Sequence, residues 1–172
     1  QTGGRGRRGR SWASPLAAHV YLSLSRRFDA GIGALQGLSL AVGAATAQVL
    51  QAMGFHQVGL KWPNDLLADG RKLGGILVEL RGDAAGPLQV VVGLGLNVAM
   101  PAPAGADIDQ PWCDLASLSA NPPSRGALCI ALLDALVPLL ARYEFEGLAP
   151  WQATWARLDL LAGRAVRLDE GG

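Results

Sequence analysis

Arg5, Arg7, Arg8 and Arg10 stand within six residues, spaced by Gly6 and Gly9 and preceded by Gly3-Gly4. Guanidinium groups are permanently charged forks that match the oxygens of phosphate and carboxylate. Glycines let the backbone fold tightly and offer its N–H groups to the same anion. The chemistry this allows is capture of a phosphoryl or acyl anion by a loop that repels itself when empty. A solvated basic tail and an RNA-binding Arg-Gly segment share this composition. Trp12 favours an anchored loop, because it ties the run directly to a strand.

Three further segments carry chemistry. Lys61-Trp62-Pro63-Asn64-Asp65 puts a cation, an indole, an amide and a carboxylate at one strand end. Sites on sheets are commonly built at strand ends, although an ordinary strand-to-turn exit needs no more than Pro63 and Asn64-Asp65. Arg71-Lys72-Leu73-Gly74-Gly75-Ile76-Leu77-Val78-Glu79 begins a strand with a lysine and then two glycines. A ligand can lie on such bare backbone while the ammonium reaches a phosphate. Val92-Gly93-Leu94-Gly95-Leu96-Asn97 lacks the third glycine and the helix of a dinucleotide fingerprint. Its period of two instead puts Gly93 and Gly95 on one face as a groove floor, with Asn97 as a polar cap.

The elements that position these residues follow from periodicity. Residues 1–10 read as a loop. Residues 16–24 alternate, with Val20, Leu22 and Leu24 on one face, as in a half-buried strand. Leu35, Leu38, Val42, Ala45, Val49 and Met53 predict a helix over 34–53 that stops at Gly54. Strands are expected at 58–62, 73–80 and 88–98, with a hairpin turn at Asp69-Gly70 and a turn at 82–87. Val90-Val91-Val92 suggests burial on both faces. A loop spans 99–111, stiffened by Pro101 and Pro103. A second helix spans 125–146, capped by Ser124, striped by Leu128, Leu132, Leu136, Leu139 and Leu140, and kinked at Pro138. Pro150 opens a short helix bearing Trp151, Trp155 and Leu158, and Ala165–Leu168 begins a strand. The pattern is α+β: a mostly antiparallel sheet covered by helices.

Composition narrows the class. Half of the 172 residues are hydrophobic and mean hydropathy is +0.24, which suits a packed core rather than disorder. A net charge of +1 argues against a global nucleic-acid surface. Two cysteines, Cys113 and Cys129, are too few for a disulfide framework or a cysteine zinc site and read as inert core thiols in a cytoplasmic protein. His19 and His56 lack partners at useful spacing and read as structural or surface residues. The polar, Arg-rich opening does not read as a signal peptide, and no unbroken apolar run is long enough to span a membrane. Both ends are expected to continue, because the chain starts inside a functional loop and stops at Gly171-Gly172 just after a strand-like stretch.

In order and spacing, these four segments together resemble the biotin protein ligase family, and the resemblance extends through Trp112, the long helix and Gly147-Leu148-Ala149-Pro150. It implies a catalytic domain over 1–162, of the fold shared with class II aminoacyl-tRNA synthetases, and the opening of a small SH3-like barrel at 163–172. It implies ATP-dependent formation of biotinyl-5′-AMP and transfer of biotin to a lysine of a biotin carboxyl carrier protein, with Mg²⁺. Gln1 would meet the ureido ring. Gly4 would bind biotin, and Arg5, Arg7 and Lys72 would hold its carboxylate and the α-phosphate, above a floor of Gly75, Gly93 and Gly95. Arg7, Arg8, Lys61, Asn64, Asp65, Lys72, Asn97 and Trp112 would bind ATP and the adenylate, with Asp65 as the metal ligand. Trp112 would stack near the adenine or sit as a core residue beside the loop. Arg5, Arg7 and Lys72 would be catalytic, by positioning and charge neutralisation without a covalent nucleophile. The family also implies a homodimer paired through sheet edges, and DNA as a partner only where a preceding domain exists. A lipoate ligase or lipoyl/octanoyl transferase would share fold and acyl chemistry without needing this Arg-Gly loop. A nucleic-acid binder would want aromatic residues among the arginines, and none interleaves them.

Overall fold

Turn chemistry divides this chain more sharply than hydrophobic periodicity does. A computed structural model describes residues 3–82, 86–106 and 108–166. The Arg-Gly run, expected as a loop, is a small hairpin: β1 (Gly4–Arg5) pairs antiparallel with β2 (Ser11–Trp12). Arg8 and Gly9 at its tip both have positive φ, 57° and 73°. Next come β3 (Val20–Phe28), α1 (Leu38–Ala52), β4 (Val58–Lys61), β5 (Asp65–Ala68), β6 (Arg71–Gly82) and β7 (Leu88–Leu96). The helices α2 (Ala102–Gly105), α3 (Leu115–Leu118), α4 (Arg125–Glu146) and α5 (Gln152–Leu158) complete the order.

The helix expected over 34–53 is broken. A 3₁₀ turn at Ile32–Leu35 precedes α1, and between them Gly37 sits left-handed at φ 79°. Only a residue without a Cβ adopts that conformation cheaply, and a Cβ there would also run into the Leu148 side chain. Asp69 and Gly70, with φ 51° and 73°, form the tight turn joining β5 to β6, as predicted. Pro138 does not end α4, which runs unbroken from its Ser124 cap. Asp134, whose carbonyl loses a partner at Pro138, faces solvent, where water can replace the missing bond.

Strands β3 to β7 form one antiparallel sheet of order β3-β7-β6-β5-β4. Its two faces differ. One carries Val20, Phe28, Leu60, Leu66, Ile76, Leu88, Val90, Val92, Leu94 and Leu96, all buried against α1, α4 and α5. Gly43 of α1 allows close approach here, since a Cβ would stand 3.3 Å from Leu60 and 3.4 Å from Ile76. Val91 is only half-buried, so β7 is covered on one face rather than both. Residues 32–52 and 125–146 have the length and mean apolarity of membrane spans, although neither is an unbroken apolar run. In this fold they are the helices that cover the sheet, and their buried stripes belong to its core.

The other face is open and holds the chemistry. A β-bulge between Leu66 and Leu67 inserts Leu73 as an unpaired extra residue: Asp65 faces Gly75 and Leu66 faces Gly74, yet Leu67 faces Lys72. Lys72 and Gly75, three residues apart, thereby point to the same face, and Leu73 turns into the core. The outer edge of β4 is capped by the chain after α5, where Leu160 N–H donates to Leu60 C=O at 2.9 Å. Of the strand expected at 165–168, Ala165 and Val166 carry no pairing and the rest lies outside the described residues.

Candidate active site

A cleft of about 1020 Å³ lies on the open face between the hairpin, the β4–β5 turn and the centre of the sheet. Arg5, Arg7, Arg8, Lys61, Asn64, Asp65, Lys72, Gly75, Gly93 and Gly95 all line it, so segments far apart in sequence converge on one cleft. Gly4 does not line it. It pairs with Trp12 in the hairpin, where a Cβ would collide with the Trp12 carbonyl. Gln1 lies outside the described residues.

The cationic end is held together by short polar links. Arg7 Nη1 donates to Asn64 Oδ1 at 3.1 Å, and Asn64 Nδ2 donates to the Ile76 carbonyl at 3.0 Å. Asn64 therefore ties the hairpin to β6. Lys72 Nζ stands 2.8 Å from Asp65 Oδ1, both about four-fifths buried. Among the described residues, no ion pair engages Arg5, Arg7, Arg8 or Arg10, and no group of three or more His, Cys, Asp or Glu could hold a metal.

The floor is formed by register. Gly75 faces Gly95 across β6 and β7, and Gly93 faces Leu77. Trp12 lies on this floor, a residue whose place in the site the sequence reading missed. A Cβ at Gly95 would be 2.8 Å from the Trp12 ring and one at Gly75 3.3 Å. Lys72 Nζ stands 5.5 Å from the ring centroid on a cation–π contact. The available signal was the glycines themselves: two at a strand period, opposite a third, require something flat above them. Gly93 is different. A Cβ there would meet only Leu77, at 3.5 Å or more, so the floor stays open at that point.

Two residues expected to bind the adenylate lie off the cleft. Asn97 follows the last β7 residue, so the period of two no longer applies. It is 4% exposed, and its Nδ2 donates to the Cys113 carbonyl at 3.0 Å. Trp112 donates from Nε1 to the Gly105 carbonyl at 3.2 Å and packs on Gly105, bracing α2 within the 99–111 loop. Trp112 acts within that loop, and Asn97 braces the chain just beyond it. Lys72 joins loop and cleft, because its backbone N–H donates to Pro111 C=O and its C=O accepts from Cys113 N–H, each at 2.9 Å. Cys113 and Cys129 are free thiols, and burial pushes the Cys113 thiol up.

A basic rim beside a floor that carries the Trp12 ring and stays open at Gly93 can seat a flat or bicyclic acid at one end and a phosphate ester at the other. Comparison with known proteins points the same way. Residues 1–97, over half the chain, match the biotin/lipoate A/B protein ligase family. The bifunctional ligase/repressor BirA of Escherichia coli is 43% identical over 168 residues, which are 98% of this chain and 52% of that protein. The biotin–[acetyl-CoA-carboxylase] ligase of Mycobacterium tuberculosis is 41% identical over 176 residues, spanning the whole chain and 63% of that protein. This chain thus spans about half to two thirds of these relatives' lengths. The biotin protein ligase of Aquifex aeolicus, solved with biotin and ATP, shares the fold with a TM-score of 0.72 at 24% identity, over 93% of this chain and 66% of that one. The chain belongs to the biotin/lipoate A/B protein ligase family.

Proposed function

We propose that this chain carries the biotin-activating centre of a biotin protein ligase. The observation that carries the reading is the convergence of Arg5, Arg7, Arg8, Lys61 and Lys72 around a floor of Gly75, Gly93 and Gly95 on which the Trp12 ring lies and which stays open at Gly93. Biotin matches it: a compact bicycle for the floor and a carboxylate for the cations. The biotin carboxylate oxygen attacks the α-phosphorus of ATP, the bond to the β-phosphate oxygen breaks, and pyrophosphate leaves. The amine of a carrier-protein lysine then attacks the acyl carbon, AMP leaves with its electron pair, and the amine loses a proton. The cations neutralise the charge that develops on phosphorus oxygens, and positioning supplies the remaining rate.

Mg²⁺ brought by ATP commonly uses one or two carboxylates plus phosphate oxygens and water. Asp65, beside Lys72, is the residue that would hold it, and the ion would neutralise the departing pyrophosphate. The acceptor is a biotin carboxyl carrier protein, and the protein works in the cytoplasm. Among the described residues β3 has a free edge, which supports pairing of two copies. DNA would be contacted only by a further domain, and residues 163–172 would open a small barrel.

Incubation with ATP and either biotin or lipoate tests this directly. Pyrophosphate release and an adenylate are expected with biotin. Release with lipoate alone would assign the site to the other branch of the family.

A further inference from the structure

His19 was expected to be structural or surface-facing, and its surroundings say more. It is 3% exposed, at the foot of β3. Its Nδ1 accepts the Val98 N–H at 3.0 Å, so Nδ1 carries a lone pair and the proton sits on Nε2. Nε2 faces Met100 Sδ at 3.3 Å. The next two amides are also held: Ala99 N–H donates to the Ala18 carbonyl at 3.0 Å, and Met100 N–H donates to Asp114 Oδ2 at 2.6 Å. Three successive amides at the start of the 99–111 loop are therefore pinned, two of them by buried titratable side chains from other segments. We infer that neutral His19 is a positioning residue that clamps the entrance of the 99–111 loop, and that its protonation releases this clamp.

The physics is a clash of donors. A second ring proton would place N–H against N–H at Val98, costing that hydrogen bond and stranding a buried donor. The groups facing the ring are few. Asp114, capping α3, favours the charged form through space, and Tyr21 on β3 meets the ring edge-on at 6.0 Å. Burial outweighs both a hydrogen bond with the Ala18 backbone and the charge of Asp114, each of which favours the charged form, and holds the imidazole below its ordinary value of 6.5. The folded protein thus binds fewer protons at this site than the unfolded chain. The clamp is intact at pH 7 and is lost as pH falls below 6.5 through the folded value.

That the loop covers an adenylate rests on the proposed function, whereas the clamp does not. The test therefore uses two readouts on the full-length protein and on His19→Asn, whose amide oxygen can stand where Nδ1 stands but does not titrate. The first is the hydrogen-exchange protection of the Val98 amide against pH. It should fall roughly five- to tenfold on acidification in the parent and stay flat in His19→Asn. The second is escape of preformed biotinyl-adenylate, which should accelerate over the same pH range in the parent only. His19→Ala should behave at pH 7 like the acidified parent. Val98 protection that ignores pH, or that is equally pH-dependent in His19→Asn, would overturn the clamp. A responsive amide with unaltered adenylate escape would overturn the positioning role. Failure to form any adenylate would count against the proposed function alone, because the Val98 readout would still decide the clamp.

Discussion

The hairpin of residues 3–12 and the loop entered at Val98 are both tied to β6, yet they are held in opposite ways. The hairpin rests on two paired residues per strand, a left-handed turn at Arg8-Gly9, one bond from Arg7 to Asn64 and the Trp12 ring seated on Gly75 and Gly95. Its arginines have no carboxylate partner in an ion pair among the described residues. The loop has buried acceptors at its entrance, a capping box at Asp114 with Ser117 just beyond it, and Trp112 bracing its middle. A segment that lacks counter-charge is completed by an anion it binds; a segment with its hydrogen bonds satisfied internally is not. The comparison predicts that mutations in the hairpin will alter ligand handling and mutations in the loop anchors will alter stability.

The largest effect is expected at Lys72, which belongs to both regions. Lys72→Ala keeps the backbone bonds to Pro111 and Cys113 and removes the ammonium beside Asp65. Adenylate formation should fall about 10²-fold or more, the usual cost of one donor aimed at developing charge, while the unfolding midpoint hardly moves. Normal pyrophosphate release by this variant would detach Lys72 from the chemistry.

Asp114→Ala should separate the regions in the other direction. It strands the Met100 amide and removes the cap of α3, at a cost of about 2 kcal/mol. Denaturant unfolding measures this, and a variant as stable as the parent would mean the anchors are incidental.

Arg7→Gly is the corresponding change in the hairpin. Loss of one charge-assisted contact should let the adenylate escape roughly tenfold faster, with stability within about 0.5 kcal/mol of the parent. Escaped adenylate acylates exposed lysines, so biotin on a bystander protein that the parent ignores is the observation to make. A variant that held its adenylate as long as the parent would return this segment to a solvated tail.

Arg8→Gly should give the smallest effect and sharpen the comparison. Arg8 is left-handed at φ 57°, ψ 35°, a conformation costing a non-glycine residue roughly 1 kcal/mol. Glycine should raise the thermal midpoint slightly, its gain reduced by the freer unfolded chain. A fall in the midpoint would mean that the Arg8 side chain stabilises the hairpin by more than its backbone costs.

Much of this was legible beforehand, for local reasons. Ser124 and the leucine stripe specify α4 because capping and a 3.6-residue period are set by neighbours in sequence. Asp69-Gly70 specifies its hairpin because both residues tolerate positive φ. The resemblance to a known family, carried by the order of the motifs, implied that Arg5, Arg7, Lys61, Asp65, Lys72 and the glycines share one site. The tertiary structure decided what depends on pairing partners. The bulge opposite Leu66 and Leu67 turns Lys72 onto the open face, and no period in the sequence reports a slipped register. Trp12 found its seat only when Gly75 and Gly95 met across two strands. Asn97, apparently aligned with the floor, passed beyond the last paired residue and became an internal support. His19 showed nothing by spacing, because its partners Val98, Met100 and Asp114 lie about 80 to 95 residues away and only folding brings them within hydrogen-bonding range.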